Sequence, residues 1–141
     1  MEFTDKNGEP RLIKHYCEPQ RKGQSMTKLE LHKFGIELLT DLYKNQEMKI
    51  TDINRIEGYE YPQFIMESKN GKIYYVAVKA TVYPIDPLSL SIDDCNELKE
   101  LANNFNAIAV FAGISFANVL NFSKAMCGAS YIISYKGLQR L

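Results

Sequence analysis

Apolar side chains recur with a helical period in two stretches of the chain, over residues 27–45 and residues 91–105. Each stretch opens with a capping box, in which a Ser or Thr hydroxyl and an acidic side chain satisfy the first backbone N–H groups of a helix. The two boxes are Thr27-Lys28-Leu29-Glu30 and Ser91-Ile92-Asp93-Asp94. We therefore predict two amphipathic helices. Gly35 lies on the apolar side of the first, where it allows close packing against a sheet.

Between the two helices the pattern changes to that of β-strands. Strands are predicted over residues 49–58, 61–68 and 72–83. The dipeptide Asn70-Gly71 joins the last two, and it favours a two-residue type I′ hairpin turn. The third strand is almost entirely apolar or aromatic in its first half, which is typical of a strand covered on both faces.

The chain beyond the second helix alternates again. Residues 107–114 form a continuous apolar run that predicts a buried strand, Ser115 is placed to cap a third helix that ends at Gly128, and residues 129–135 predict a last strand. An antiparallel meander followed by a right-handed strand-helix-strand crossover gives a layered architecture. The fold class predicted is a three-layer α/β sandwich with core order αβββαβ and a mixed central sheet, followed by an additional helix and strand.

The length and charge of the chain indicate one domain with a basic arm. The 141 residues are 45% hydrophobic and 24% charged, which suits a single globular domain over residues 25–141. Residues 1–24 are rich in Gly, Pro and basic residues, and we predict a basic, mobile N-terminal arm there. The formal net charge is zero, so no global field favours nucleic acid or an anionic membrane. The candidate contacts for an anion or a nucleic acid are the local basic residues Arg11, Lys14, Arg21, Lys22 and Lys28.

The cysteines and the apolar runs point to the cytoplasm. Cys17, Cys95 and Cys127 are odd in number and far apart, which favours reduced thiols over a disulfide framework. No apolar run is long enough to cross a bilayer, and the first residues lack the apolar region of a signal peptide. The histidines and cysteines lack ligand spacing, so we expect neither a metal site nor a cofactor.

The segment from Tyr61-Pro62-Gln63-Phe64 to Val76-Ala77-Val78-Lys79 resembles the PD-(D/E)XK nuclease family, whose motif is Pro-Asp, a β-hairpin and then Glu-x-Lys. The resemblance covers residues 27 to about 114. Pro62, the hairpin and Lys79 match the motif. Gln63 stands where the family has its first metal-binding acid, and Ala77 stands where it has the second.

The resemblance implies a nuclease fold with a vestigial site. In active members of the family the two acids hold Mg²⁺ at the scissile phosphate, and the lysine positions water and stabilises negative charge. Mg²⁺ requires carboxylate ligands, which Gln63 and Ala77 cannot supply. With a two-residue turn, Gln63 pairs with Val78, so a bulge or bend near Pro62 is needed before Gln63 joins Ala77 and Lys79 at one site.

An active enzyme would need carboxylates relocated from elsewhere in the chain, and Mg²⁺ is expected only in that case. The candidates for a relocated acid are Glu37, Glu60, Glu67 and Glu97. None of them restores two carboxylates beside Lys79, so we predict no catalytic residues.

Two further features have both a functional and a plain structural interpretation. Lys79 either marks the old cleft or is a lysine whose ammonium reaches solvent at the end of an apolar strand. The second feature is a set of tyrosines that either stack on bases or form cross-strand packing pairs, and packing is favoured. These are Tyr59, Tyr61, Tyr74, Tyr75 and Tyr83.

Three hypotheses for function follow. The first, which we favour, is a catalytically degenerate nuclease-fold domain that acts as a binding or assembly module, with a protein partner or self-association preferred over nucleic acid. The second is an active Mg²⁺-dependent nuclease with a relocated carboxylate. The third is an accessory protein that dimerises through its apolar C-terminal helix and strand and is unrelated to nucleic acid.

Overall fold

The computed structural model of the chain describes residues 27–53, 61–82, 90–118 and 131–141. The predicted N-terminal arm over residues 1–24 lies outside these residues. The elements in chain order are α1 (Lys28–Asn45), β1 (Lys49–Ile53), β2 (Phe64–Glu67), β3 (Ile73–Val82), α2 (Ile92–Asn104), β4 (Ile108–Asn118) and β5 (Tyr131–Arg140).

The five strands form one mixed sheet in the order β1-β2-β3-β4-β5. The first three strands are antiparallel neighbours, β3 and β4 run parallel, and β4 and β5 are antiparallel. The parallel pair is joined through α2, as a strand-helix-strand crossover requires. Helix α1 packs on one face of the sheet and α2 on the other. The predicted three-layer α/β sandwich with core order αβββαβ and a mixed sheet is confirmed.

The capping residues set where both helices begin. At α1 the Thr27 hydroxyl accepts the Glu30 N–H at 3.1 Å, and the Glu30 carboxylate accepts the Thr27 N–H at 2.8 Å. At α2 the Ser91 hydroxyl accepts the Asp94 N–H at 3.1 Å. These bonds satisfy backbone donors that have no partner within the helix. The predicted starts of both helices are confirmed.

The larger apolar core lies between α1 and the sheet. Phe34 of α1 is fully buried and stacks on Phe116 of β4 with ring centroids 5.0 Å apart. A Cβ atom added to Gly35 would lie 3.1 Å from Ile114 Cγ2 and 3.3 Å from Ala80 Cβ. The absence of a side chain at this position lets the helix backbone approach the sheet, as the sequence predicts.

The core between α2 and the sheet is smaller. It is formed by buried side chains of α2, β3 and β4 together with Leu90. Three of them are alanines. The buried members of this core are Tyr75, Ala77, Leu90, Leu98, Ala102, Ala109 and Phe111.

The hairpin between β2 and β3 has a three-residue loop, so the predicted two-residue turn is wrong. The Ser68 N–H donates to the Lys72 carbonyl at 2.8 Å, and the Gly71 N–H donates to the Ser68 carbonyl at 3.0 Å. Gly71 has φ of 83° and Asn70 has no positive φ. A turn that ends in a left-handed glycine is the common three-residue hairpin, and it uses the glycine of the Asn-Gly pair alone.

The longer loop shifts the register by one residue. Phe64 pairs with Val76 and not with Ala77, the predicted partner. A shift of one residue in a strand moves every side chain to the opposite face, so the pairing decides which positions of β3 can meet β2.

The structure also corrects the predicted C-terminal elements. Strand β4 continues through Ser115, which is 1% exposed, so this residue does not cap a helix. Ile114 and Phe116 are buried in the α1-side core with Ser115 between them, and this alternation is that of a strand. The rest of the predicted third helix, from residue 119 on, lies outside the described residues. The last strand is Tyr131–Arg140, displaced towards the C terminus from the predicted 129–135.

Within the described parts of the chain, no helix is long and apolar enough to cross a membrane. Cys95 is a free thiol on α2, as predicted for a protein without a disulfide framework. Cys17 and Cys127 lie outside the described residues.

Candidate functional site

The candidate site lies where β2 begins beside β3. The Tyr61-Pro62 peptide is cis, and the chain enters β2 through Gln63. The Gln63 N–H donates to the Val76 carbonyl at 2.9 Å, although Val76 is the register partner of Phe64. Gln63 and Phe64 therefore both face Val76 of β3, and two residues opposite one is the arrangement of a β-bulge. An irregularity near Pro62 is therefore present, but the reason predicted for it is wrong, because with the three-residue loop regular pairing alone would place Gln63 opposite Ala77.

The side chain of Gln63 supplies a hydrogen-bond acceptor to β3 where the backbone of β2 supplies none. Its Oε1 accepts the backbone N–H of Val78 at 2.5 Å, and Gln63 as a whole is 1% exposed. Regular pairing of β2 with β3 ends at Phe64 and Val76, so the Val78 N–H has no backbone carbonyl of β2 opposite it. An unpaired buried N–H costs about 1–3 kcal/mol, and the amide of Gln63 avoids that cost.

Ala77 and Lys79 flank the bonded Val78 on β3. Ala77 is 0% exposed and belongs to the α2-side core. Lys79 is half-buried, two residues further along the same face, and its parallel neighbour on β4 is Gly113. The Gln63 amide therefore reaches the backbone of β3 between Ala77 and Lys79. Of the three, the amide of Gln63 is bonded to the backbone and the methyl group of Ala77 is packed in the core.

Two of the candidate relocated acids, Glu37 and Glu67, lie away from Lys79. Glu37 is on α1, which packs on the face opposite Ala77 and Lys79. Glu67 pairs with Ile73, six residues before Lys79, and at about 3.3 Å per residue the separation is about 20 Å.

The structure describes one of the other two acids. Glu97 is exposed on α2, and Glu60 lies outside the described residues. No group of three or more His, Cys, Asp or Glu side chains is close enough to hold a metal ion within the described ranges.

The candidate anion contacts are almost all outside the described residues. These are Arg11, Lys14, Arg21 and Lys22. Lys28 is exposed in the first turn of α1, where a positive charge faces the positive end of the helix dipole. Of the five candidate contacts, Lys28 is the one that the structure describes.

The tyrosines that the structure describes take part in packing. Tyr75 is buried in the α2-side core, Tyr74 packs against the α1-side core, and Tyr61 is half-buried beside the α2-side core. The packing interpretation is confirmed for these three residues. Tyr59 and Tyr83 lie outside the described residues.

A family model, described as a domain of unknown function (DUF8840), matches residues 29–141 of the chain. The chain belongs to the DUF8840 family. No curated protein and no solved structure matches the chain. The match spans both helices and all five strands, so the site and both cores described above belong to this DUF8840 domain.

Two buried groups of the DUF8840 domain were not predicted from its sequence. The hydroxyls of Tyr43 and Tyr135 lie 2.5 Å apart inside the α1-side core. Burial raises the pKa of both phenols. The hydrogen bond raises the pKa of Tyr135 further and partly offsets the rise for Tyr43. The available signal was the position of Tyr43 one turn after Leu39, on the buried side of α1.

His32 is the second such group. It is buried on α1, and burial lowers its pKa because the protein interior disfavours the imidazolium. It follows Leu31 on the helix, so its inward position is apparent only once the buried side of α1 is known. Neither His32 nor the tyrosine pair lies on the face of the sheet that carries Ala77 and Lys79.

Proposed function

We propose that this domain is a catalytically inactive binding or assembly module that keeps the frame of a nuclease fold. Its ligand in this proposal is a protein, either another chain or a second copy of itself, in preference to nucleic acid. The observation that carries the proposal is the use of Gln63: the side chain at the position of the first metal-binding acid is 1% exposed and bonded to the backbone of Val78.

The surroundings of Ala77 support the same conclusion. Its neighbours in the α2-side core are apolar, among them Leu98 and Phe111. A divalent ion needs anionic oxygen ligands and retained water, and an apolar core supplies neither. In this proposal Lys79 takes no part in metal chemistry and is a half-buried lysine within β3.

The charge of α2 favours a protein partner over nucleic acid on that side of the domain. The helix carries four acidic residues, Asp93, Asp94, Glu97 and Glu100, and one basic residue, Lys99. Acidic side chains repel phosphates, and with zero net charge a nucleic acid would have to be held by the N-terminal basic residues alone.

A cleavage assay tests the catalytic half of the proposal. The purified protein is incubated with labelled duplex DNA, single-stranded DNA and RNA in Mg²⁺ or Mn²⁺, and we expect no cleavage. The matched pair of variants is Lys79→Ala, at the candidate site, and Lys72→Ala, an exposed lysine on the same hairpin. Metal-dependent cleavage that survives purification, persists in Lys72→Ala and disappears in Lys79→Ala would make the domain an active nuclease.

A binding titration tests the choice of partner. Fluorescence anisotropy with the same nucleic acids at low and physiological salt should show weak binding that disappears at physiological salt. Each phosphate that a basic side chain neutralises steepens the salt dependence by about 0.9 logarithmic units for duplex DNA. Submicromolar binding at physiological salt that is lost when Arg21 and Lys22 are replaced by alanine would reverse the order and make nucleic acid the partner.

A further inference from the structure

The loop between β2 and β3 contains a dipeptide that can react with itself. Asn70 and Gly71 are the last two residues of the three-residue loop, and both are exposed. A Cβ atom added to Gly71 would meet nothing within 4 Å. The space beside this dipeptide is therefore open to water.

The reaction joins the side chain of an asparagine to the backbone of the next residue. The Gly71 backbone nitrogen attacks Cγ of Asn70, a new C–N bond forms, and the side-chain amide leaves as ammonia. The product is a five-membered cyclic imide, a succinimide. Water then opens the ring at one of its two carbonyl groups and leaves either aspartate or isoaspartate. A glycine in the second position favours ring closure, because it has no Cβ atom to crowd the ring and its backbone is the least restricted.

Ser68 acts on this dipeptide through both its side chain and its backbone. The Ser68 hydroxyl accepts the Lys72 N–H at 3.1 Å and donates its own hydrogen to Oδ1 of Asn70. A donor at that oxygen stabilises the negative charge that develops there when Cγ is attacked. The Ser68 carbonyl accepts the Gly71 N–H at 3.0 Å, so this bond has to open before the nitrogen can react. Exposed loops open locally without unfolding of the sheet.

We propose that Asn70-Gly71 is a site of spontaneous covalent modification in the folded domain, at which a succinimide forms and is hydrolysed to aspartate and isoaspartate. The Ser68 hydroxyl promotes the reaction by polarising the amide of Asn70. Water is the only co-reactant, and ammonia is the only group lost. The inference goes beyond the binding function proposed above and does not depend on it.

The modification would change the hairpin in two ways. Isoaspartate adds a methylene group to the main chain of the loop, which now closes with a bond of 2.8 Å from the Ser68 N–H to the Lys72 carbonyl. The loop length also sets the register of β2 on β3. In addition, either product places a carboxylate next to Lys69, whose ammonium forms an ion pair with Glu47. We therefore expect the modified hairpin to carry one more negative charge and to protect its amides less well from hydrogen exchange.

The test follows the full-length protein during incubation at mildly alkaline pH in water enriched in the heavy isotope of oxygen. Ring opening by this water labels position 70, and digestion in ordinary water leaves unlabelled any product that forms later. Mass spectrometry of the peptides measures the label, and an isoaspartate-specific methyltransferase identifies that product. The same dipeptide at Asn7-Gly8, outside the described residues, is the internal standard for the chemistry. We expect labelled product at both dipeptides.

Two asparagines of the described residues serve as controls. Asn45 and Asn106 are also exposed, but each is followed by a residue with a side chain, and both should stay unlabelled over the same period. In Asn70→Gln the ring would have to be larger, so position 70 should stay unmodified. Hydrogen exchange in the hairpin should then be unchanged by incubation, whereas it should rise in the wild-type protein.

Ser68 variants test the part played by the hydroxyl. Ser68→Ala should slow labelling of position 70 in the folded protein by about two- to tenfold, the effect of losing one hydrogen bond to the reacting oxygen. Ser68→Thr keeps the hydroxyl and should retain the rate. In urea the three proteins should react alike, because the contact exists only in the folded loop.

Three results would overturn the inference. The first is no label at position 70 under conditions that convert Asn7, and the second is equal label at Asn45 or Asn106. The third is labelling of folded Ser68→Ala that is as fast as in the wild-type protein or faster. The cleavage and binding assays described above are separate from these measurements.

Discussion

The two faces of the sheet are covered in different ways. On the α1 side, large aromatic and aliphatic side chains of four strands pack against one long helix, which Gly35 brings close to the sheet. On the α2 side, a shorter helix lies over small side chains such as Ala77 and Ala109, and an exposed ring, Phe105, lies at its end. The first face therefore buries most of the apolar side chains of the sheet, and the second leaves a large aromatic side chain at the surface.

The two faces also differ in whether their polar groups are buried or exposed. The α1 side keeps its hydroxyls and its imidazole in the interior, where each has been taken out of water. The α2 side presents charged residues to solvent along the outer side of its helix. Substitutions on the first face should therefore change the free energy of unfolding, and those on the second should change binding.

The largest expected effect compares two phenylalanines. Phe34→Ala removes a fully buried ring from the α1-side core and should lower the free energy of unfolding by about 3–5 kcal/mol. Phe105→Ala removes an exposed ring whose stack on Tyr75 is worth about 1 kcal/mol, so its effect should be about that size or less. Urea denaturation of both variants measures the contrast. Equal losses would mean that the two faces contribute alike.

The next effect concerns the junction of β2 and β3. Gln63→Met keeps the length of the side chain and removes the acceptor of the Val78 N–H, which should cost about 1–3 kcal/mol. The Val78 amide should then exchange with deuterium faster than in the wild-type protein. Gln139→Met, at an exposed position of β5, is the control and should change stability by less than about 0.5 kcal/mol. Unchanged exchange at Val78 would contradict the role given to Gln63.

A smaller effect is expected at the tyrosine pair of the α1 side. Tyr43→Phe removes one buried hydrogen bond and should lower the free energy of unfolding by about 0.5–1.5 kcal/mol. Tyr135→Phe and the double variant complete a cycle whose coupling energy measures the contact itself. A coupling energy near zero would show that the two hydroxyls do not interact in solution.

The smallest effect is a pH dependence from His32. Burial places the pKa of His32 in the folded protein below its usual 6.5. The stability that its neutral form contributes is therefore complete above about pH 6.5, and it is lost as the pH falls towards the lowered pKa. The slope from this one proton cannot exceed about 1.4 kcal/mol per pH unit.

Denaturation curves between pH 7 and pH 5 would detect the loss, and His32→Asn should flatten the pH dependence. The other histidine of the chain gives the control variant, His15→Asn, which should leave the slope as it is in the wild-type protein. An unchanged slope in His32→Asn would place the titrating group elsewhere.

Much of the layered fold was predictable because it follows from local periodicity and capping. The apolar period of α1 and its Thr27 and Glu30 cap are short-range features, and the structure has them where the sequence predicts them. Loop conformation was harder to predict. Asn70-Gly71 suits a two-residue turn, but the chain uses Gly71 alone as a left-handed residue and adds one residue to the loop.

The sequence pattern indicates which strands carry positions 63, 77 and 79, but it does not predict the hydrogen bond that Gln63 makes. The Gln63 amide accepts the Val78 N–H, between Ala77 and Lys79 on β3. The bond from Gln63 to Val78 depends on where regular pairing of β2 with β3 stops, which is a property of the whole hairpin. Ser115 was misassigned for a similar reason, since a serine after an apolar run suits a helix cap as well as the solvent-poor face of a longer strand.

The bond between Gln63 and Val78 also constrains how this domain can change. A carboxylate at position 63 could still accept the Val78 N–H, but it would put a charge at a position that is 1% exposed, and one at position 77 would put a charge among apolar side chains. Either substitution made alone would lower the free energy of unfolding, and ion binding would not offset that loss because one carboxylate does not make a metal site. Selection for stability would therefore oppose a carboxylate at position 63 and at position 77. A divalent-ion site here would need both substitutions together with a change in the packing of α2.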